Sequence, residues 1–261
     1  MDRREVLDRT ARSEEERLLL SRVWDKREQC RLRSIPTATA FLSPQEQAAA
    51  LRLLHALGVR EGYVFWGGYD GAERQRLLFL PEWMDGPAGD EAAALRAVCR
   101  SGTPLTHRDF LGSLMALGLT REKIGDILVE SGGCQVVADP SVLEFLVQSW
   151  DSAGREKLTV TALPLEELTV PEAAVREVRD TVSSLRLDNV LAAGFSLSRG
   201  KAAEAVEKGA VQVNHTVCQK PDKPVAAGDT ITCRGLGKCV LDNVGGPTKK
   251  GRLPVVIRRF I

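Results

Sequence analysis

Ser184-Leu185-Arg186-Leu187-Asp188-Asn189-Val190-Leu191-Ala192-Ala193-Gly194, followed by Ser196-Leu197-Ser198-Arg199 and the run to Gly209, is the stretch on which the reading of this chain turns. Leu187, Val190 and Leu191 share one helical face, and Gly194 is a stop signal. Ser198-Arg199 opens a second helix whose Ala202, Ala205 and Val206 form an inward stripe before Gly209. The spacing predicts two short helices packed face to face. On the second, Lys201 and Lys208 are seven residues apart, within roughly 20° around the axis, and Arg199 flanks the stripe on its other side. Cations then stand beside a helix N-terminus, whose free N–H groups attract phosphate.

Outward from these helices, Val211-Gln212-Val213-Asn214-His215-Thr216-Val217 alternates like a hairpin. Lys220-Pro221 and Pro224 mark a loop, and Gly228-Asp229 turns into a strand from Thr230 to Arg234. The order is α-α-β-β-β, with Arg186, Arg199, Lys201 and Lys220 at starts and turns. Further on, Lys249, Lys250 and Arg252 sit in a basic turn before the strand Val255-Val256-Ile257, where their charge would extend a phosphate-binding face.

Charge supports this placement. The whole chain carries a net +1, but residues 176–261 hold 15 Lys and Arg against 8 Asp and Glu, a net +7, leaving −6 upstream. One module therefore suits phosphates and another does not. The 43% hydrophobic and 27% charged fractions are those of a soluble globular protein. No apolar run approaches the roughly 18 residues of a membrane helix, and no signal segment is read at the N-terminus, so the cytoplasm is expected. The cysteines at 30, 99, 134, 218, 233 and 239 include no pair at metal-ligand spacing and read as reduced thiols.

The upstream part is expected to hold two modules. Residues 1–58 read as helical: Glu14-Glu15-Glu16 precedes Leu18, Leu19, Val23 and Trp24, and Ser43-Pro44 opens another helix with Gln47 as capping-box partner. From 60 to 170 the pattern is short apolar strands (63–66, 77–80, 94–99, 127–129, 135–138, 158–160) interrupted by helices at about 107–117 and 141–150. This predicts a ferredoxin-like, RRM-like α+β sandwich with an extra strand, including a hairpin at Gly132-Gly133. Residues 163–175 read as a strand end, an acidic connector and the start of a linking helix, and the C-terminal module as 181–261.

The C-terminal residues Arg186-Leu187-Asp188, Leu191-Ala192, Gly194, Ser198-Arg199, Ala202-Ala203, Gly209, Val211-x-Val213-Asn214, Lys220-Pro221 and Val225-x-x-Gly228-Asp229-x-Ile231 resemble the RNA-binding domain named after ribosomal small-subunit protein S-four. One departure is His215, where the family has glycine: a type I′ turn needs positive φ at both central positions, so another turn is expected, and a ring there could stack on a base. Phe41-Leu42-Ser43-Pro44, Gly67-Gly68-Tyr69, Ala72-Glu73-Arg74, Leu105 to Gly112, Leu117-Gly118-Leu119, Lys123 to Ile127 and Thr248 to Arg252 narrow the likeness to the bacterial YlmH-like proteins. That resemblance implies a non-enzymatic protein that binds rRNA or tRNA on the large ribosomal subunit and handles stalled nascent-chain complexes. Relatives are also linked to cell division and photosystem assembly.

On this reading Arg186, Ser198, Arg199, Lys201, Lys208, Asn214, Lys220, Lys249, Lys250 and Arg252 are the RNA-binding candidates. His107, Arg108 and Lys123 are candidates for a second RNA or interdomain surface, with Thr106 or Asp109 capping their helix. No catalytic residue, cofactor or metal is called for, and a monomer is expected. His107-Arg108-Asp109 matches a kinase tripeptide, but no glycine-rich nucleotide loop, Val-Ala-Ile-Lys strand or Asp-Phe-Gly accompanies it. An RNA-modifying enzyme and a scaffold protein are the rival classes; only phosphate contacts weaken steeply with salt.

Overall fold

The computed structural model describes residues 2–171 and 175–260. The chain divides into two compact units, Met1–Pro171 and Glu172–Ile261. In the first, helix α1 (Arg3–Thr10) starts on an Asp2 cap, and α2 (Glu14–Arg33) runs from a Ser13 cap to Ser34 in left-handed conformation. Strand β1 (Thr37–Leu42), helix α3 (Pro44–Ala56), β2 (Tyr63–Trp66) and β3 (Gln75–Phe79) follow. The strands form an antiparallel sheet in the order β1-β3-β2.

This corrects the purely helical expectation for residues 1–58. Strands 63–66 and 77–80, predicted for the middle sheet, fall at β2 and β3, and β3 pairs with both β1 and β2 in this sheet instead. The reason is packing: Leu77 and Phe79 are buried with Leu20, Val23, Leu53 and Leu54, the inward faces of α2 and α3. The capping box at α3 also differs. Its partner is Glu46, which accepts from the Ser43 amide at 2.6 Å, whereas Gln47 donates to the carbonyls of Leu42 and Glu73.

The second sheet of this unit is built from β4 (Ala93–Cys99), β5 (Ile124–Glu130), β6 (Gly133–Ala138), β7 (Ser152–Ala153) and β8 (Glu156–Leu163), with α4 (His107–Ala116) between β4 and β5 and α5 (Leu143–Ser149) after β6. Its order is β5-β6-β4-β8-β7, antiparallel throughout. Leu95, Ala97, Cys134 and Val136 point to the helices, where Phe110 meets Trp150 edge-on. In the β5–β6 hairpin only Gly132 has positive φ. Gly133 lies within β6, where a Cβ would stand 2.1 Å from the Ala97 carbonyl oxygen, so it serves close strand approach.

The two sheets of this unit are joined by polar side chains. Asp126 accepts from the Tyr69 hydroxyl at 2.7 Å and from the amides of Glu73 and Arg74. Arg74 in turn donates to the carbonyls of Ile124, Phe41 and Arg121. Phe41, Ala92 and Val137 form a small core beside it, packed by Tyr69, Leu165 and Leu168.

The second unit begins with β9 (Val175–Val182), then α6 (Leu187–Phe195), α7 (Arg199–Glu207), β10 (Val211–Val213), β11 (Thr216–Val217), β12 (Thr230–Cys233), β13 (Gly237–Val244) and β14 (Leu253–Phe260). The six strands run β11-β10-β12-β13-β14-β9. The start of a linking helix was expected by Val175; residues 172–174 lie outside the described ones, and from Val175 the chain is a strand because β14 offers it an eight-residue antiparallel partner, Leu253 opposite Val182 through Phe260 opposite Val175. Strand β13 was not anticipated. Leu187, Val190, Leu191, Ala202 and Val206 from the helices bury against Val211, Ile231, Cys239, Leu241, Val255 and Ile257 from the sheet. The predicted helix faces are thus the core.

Candidate nucleic-acid interface

The N-terminus of α6 is closed rather than open to an anion. The amides of Leu187 and Asp188 donate to the carbonyls of Lys223 and Pro221 in the loop before β12. This leaves Asp188, whose side chain is only 3% exposed, to face the two arginines. Arg186 donates to both its carboxylate oxygens, Nε to Oδ1 and Nη2 to Oδ2, each at 3.1 Å; Arg199 Nε donates to Oδ2 at 3.2 Å. Burial pushes the Asp188 carboxyl up, but the hydrogen bonds and charges of Arg186 and Arg199 prevail, so its pKa lies below the usual carboxylate range. Neither guanidinium is buried: their side chains are 39% and 60% exposed. One submerged carboxylate therefore holds two planar guanidinium groups at the surface, each a donor fork suited to an oxyanion.

Sequence reading named both arginines and left Asp188 out. Its signal was present in the Arg186-x-Asp188 spacing, but the reach to Arg199 across eleven residues is set only by the packing of α6 on α7.

Ser198 caps α7, its hydroxyl accepting from the Lys201 amide at 3.3 Å, so its task visible here is to start the helix. Lys201 is exposed on the first turn. Lys208, at the other end, is held by Glu204 at 2.6 Å. Asn214 is structural in its contacts: Nδ2 donates to Asp229, Oδ1 accepts from the Thr230 amide, and its own amide donates to the Thr230 carbonyl. The turn that joins β10 to β11 has both Asn214 (φ 49) and His215 (φ 62) at positive φ, as a type I′ turn requires. The expected alternative turn is not adopted; histidine tolerates the left-handed region better than most side chains. Lys220 is exposed in the loop that closes α6.

Arg252 ties the basic turn before β14 to β9, donating Nε to the Thr181 hydroxyl at 3.0 Å and Nη2 to its carbonyl. Thr248 shapes that turn by accepting from the Gly251 and Arg252 amides, and Lys249 and Lys250 project from it exposed. Arg252 and Arg199 line one shallow depression of 280 Å³, together with Thr181, Ser183 and Asn189. The candidates Arg199 and Arg252 are thus brought together; Lys208 and Asn214 are not among the residues lining it.

In the first unit, Thr106 and Asp109 form the expected cap of α4: the Thr106 amide and hydroxyl both donate to Asp109. His107 and Arg108 are exposed on its first turn. Partial desolvation, then the charge of Arg121, hold the His107 imidazole below its ordinary pKa. Lys123 does not join them at a free surface; it bonds Asp139 at 3.1 Å and Ser141 at 3.0 Å. Among the described residues no group of three or more His, Cys, Asp or Glu could hold a metal ion, and no helix is long and apolar enough to cross a membrane.

A helix pair on a small sheet with arginines anchored at the helix starts defines the class, an RNA-binding protein: residues 185–231 match the S4 domain model and 101–167 the model described as the putative RNA-binding domain in YlmH. Residues 15–82 match the YlmH N-terminal model. The chain is 35% identical over 224 residues, 85% of its length and 86% of the relative's, to the ribosome-associated protein quality control protein P2 of Bacillus subtilis. It belongs to the YlmH family. The solved structure of the cell division protein YlmH from Streptococcus pneumoniae shares its fold over 61% of this chain and 98% of that one, with TM-score 0.52 at 19% identity.

Proposed function

We propose that this protein is a non-enzymatic RNA-binding factor of the cytoplasm whose second unit docks on a folded rRNA or tRNA element of the large ribosomal subunit, in the handling of stalled translation complexes. The observation that carries this reading is the pair Arg186 and Arg199 held at the surface by buried Asp188. Lys201, exposed two residues on from Arg199, and Arg252, which lines the same depression as Arg199, add further cations. Recognition by shape and backbone charge suits structured RNA, whose deep major groove is closed to side chains. The relative named for ribosome-associated quality control supports the setting.

The sheet order β8-β4-β6-β5 in a β-α-β-β-α-β chain supports reading the middle of the first unit as RRM-like, a second RNA surface. The test is co-sedimentation of the purified protein with large ribosomal subunits across salt. The wild type is expected to bind with strong salt dependence, and Arg199→Ala with Lys201→Ala to flatten the slope by about two units. Wild-type binding that persists in high salt would turn the reading to a protein scaffold.

A further inference from the structure

RRM-type domains meet single-stranded RNA on the open face of the sheet, where aromatic side chains stack on bases. In this chain part of that face is already occupied, and the rest carries no aromatic side chain. Alternation in β4 and β6 turns Arg96, Val98, Gln135 and Val137 away from the helices, and none is aromatic. Arg96 is held in a two-pronged ion pair by Glu130, at 2.9 and 3.2 Å. Gln135, fully buried, grips the backbone of Thr169 with both ends of its amide: Oε1 accepts from the Thr169 amide at 2.9 Å and Nε2 donates to its carbonyl at 3.2 Å. Val137 is covered by Phe41, Leu165 and Leu168. The segment after β8 and the first sheet thus cover the face at Gln135 and Val137, while Val98, Thr159 and Thr161 stay exposed and offer no aromatic ring for a base to stack on.

The opposite, helix side is open. A groove of 510 Å³ runs between α4 and the segment joining α5 to β8, lined by Arg108, Gly112, Ser113, Ser149, Ser152 and Gly154 among others. Of its two carboxylates, Asp151 is paired with Lys157 at 3.0 Å and accepts from Ser152 at 2.9 Å, while Asp109 accepts from Thr106 and keeps its charge beside Arg108. Arg108 makes no ion pair or hydrogen bond among the described residues, and exposed Arg155 follows Gly154 at the lip. The groove thus offers the exposed cations of Arg108, beside the Asp109 carboxylate, and Arg155, together with hydroxyls and a helix surface that the bare Gly112 leaves unobstructed, with nothing within 4 Å of where its Cβ would lie. That combination fits a ribose-phosphate backbone, which needs close approach and cations rather than an apolar pocket.

We infer that the middle of the first unit meets RNA through this helix-side groove and not through its open sheet face. The inference rests on the reading that this region is an RNA surface at all, and the experiment separates the two. Full-length protein is titrated with large ribosomal subunits at several salt concentrations, comparing Arg108→Glu/Arg155→Glu in the groove with Val98→Glu/Thr161→Glu on the sheet. The groove pair is expected to weaken binding about ten-fold and lower the salt slope by roughly two, with the sheet pair at wild-type affinity. Gly112→Gln guards against misfolding: glutamine is the better helix former, so thermal stability holds or rises while binding falls about three-fold.

Loss on the sheet pair alone would overturn the face assignment and keep the RNA surface. If neither pair matters while Arg199→Ala/Lys201→Ala still loses binding, both the inference and the second-surface reading fall. Loss of ribosome binding by the groove pair with unchanged affinity for protein-free rRNA would assign the groove to a protein, and likewise overturn it.

Discussion

Two carboxylates organise arginines in this molecule, and they do so in opposite senses. Around Asp126 the guanidinium of Arg74 is turned inward, donating to the carbonyls of Ile124, Phe41 and Arg121, while Arg121 itself reaches the carbonyls of Ile124 and Gly125. Burial lowers the pKa of Arg74, and burial with the charge of Arg74 brings Arg121 down to about 10. Around Asp188 the carboxylate is the submerged partner and the arginines face out; hydrogen bonding to Asp188 raises the pKa of Arg186. An arginine desolvated among carbonyls joins structure, whereas one braced from beneath by a carboxylate is a surface ready for another anion. Counting arginines does not distinguish the two; the depth of the charge does.

The sharpest way to break this contrast is to remove one arginine of each kind. Arg74→Ala removes three hydrogen bonds at the joint between the sheets, although the Ile124 and Arg121 carbonyls each keep another donor, and is expected to cost about 3 kcal/mol of stability while leaving RNA affinity of the folded protein unchanged. Chemical denaturation paired with subunit binding below the unfolding transition checks both halves. An Arg74→Ala protein that is stable but fails to bind would place this arginine at an interface and dissolve the distinction.

Asp188→Asn probes the other hub with a near-isosteric change. The amide keeps an acceptor for one arginine but loses the charge, so stability is expected to fall by about 1–3 kcal/mol, and affinity for RNA should fall with it as Arg186 and Arg199 lose their common anchor. The pH dependence follows from the lowered pKa of Asp188. A depressed folded-state pKa contributes stability that is fully present above the ordinary carboxylate value and lost as pH falls through the folded one. The gap between wild type and Asp188→Asn in urea unfolding is therefore expected at pH 7 and should close in acid, below about pH 4. A gap that stays constant with pH would mean that the charge of Asp188 does not carry the effect.

The same contrast explains what was legible in the sequence. The α6 and α7 faces were readable because their apolar residues recur at helical spacing and bury as a set. Strand β9, Val175-Arg176-Glu177-Val178-Arg179-Asp180-Thr181-Val182, was not: only Val182 is buried, and its conformation comes from β14, more than seventy residues later. Strand β1 was swallowed by the helical pattern on both sides, though Thr37, Thr39 and Phe41 alternate inward. For the site, charge segregation pointed to the second unit, and the motif residues pointed to Arg186 and Arg199. That Ser198 caps, Asn214 ties β10 to the start of β12 and Lys123 serves Asp139 depends on partners up to sixteen residues away, which local spacing cannot reveal.

The smallest expected effect concerns the one departure from the family pattern. His215 takes the second positive-φ position of the Asn214-His215 turn, a conformation glycine adopts without a Cβ penalty. His215→Gly relieves that strain but gives the unfolded chain more freedom, so the two nearly cancel and stability is expected to rise by only about 0.5 kcal/mol. Turn type is unchanged, because Asn-Gly is the pair most suited to it. RNA affinity is therefore the informative readout. If the imidazole only fills a turn, affinity stays at the wild-type value; if it stacks on a base, affinity drops in a protein that is no less stable, by the roughly five-fold or more that about 1 kcal/mol of stacking implies. A drop would carry the RNA surface from the Asp188 hub to the hairpin, and an unchanged affinity would confine it to the helix starts and the depression that Arg199 and Arg252 line.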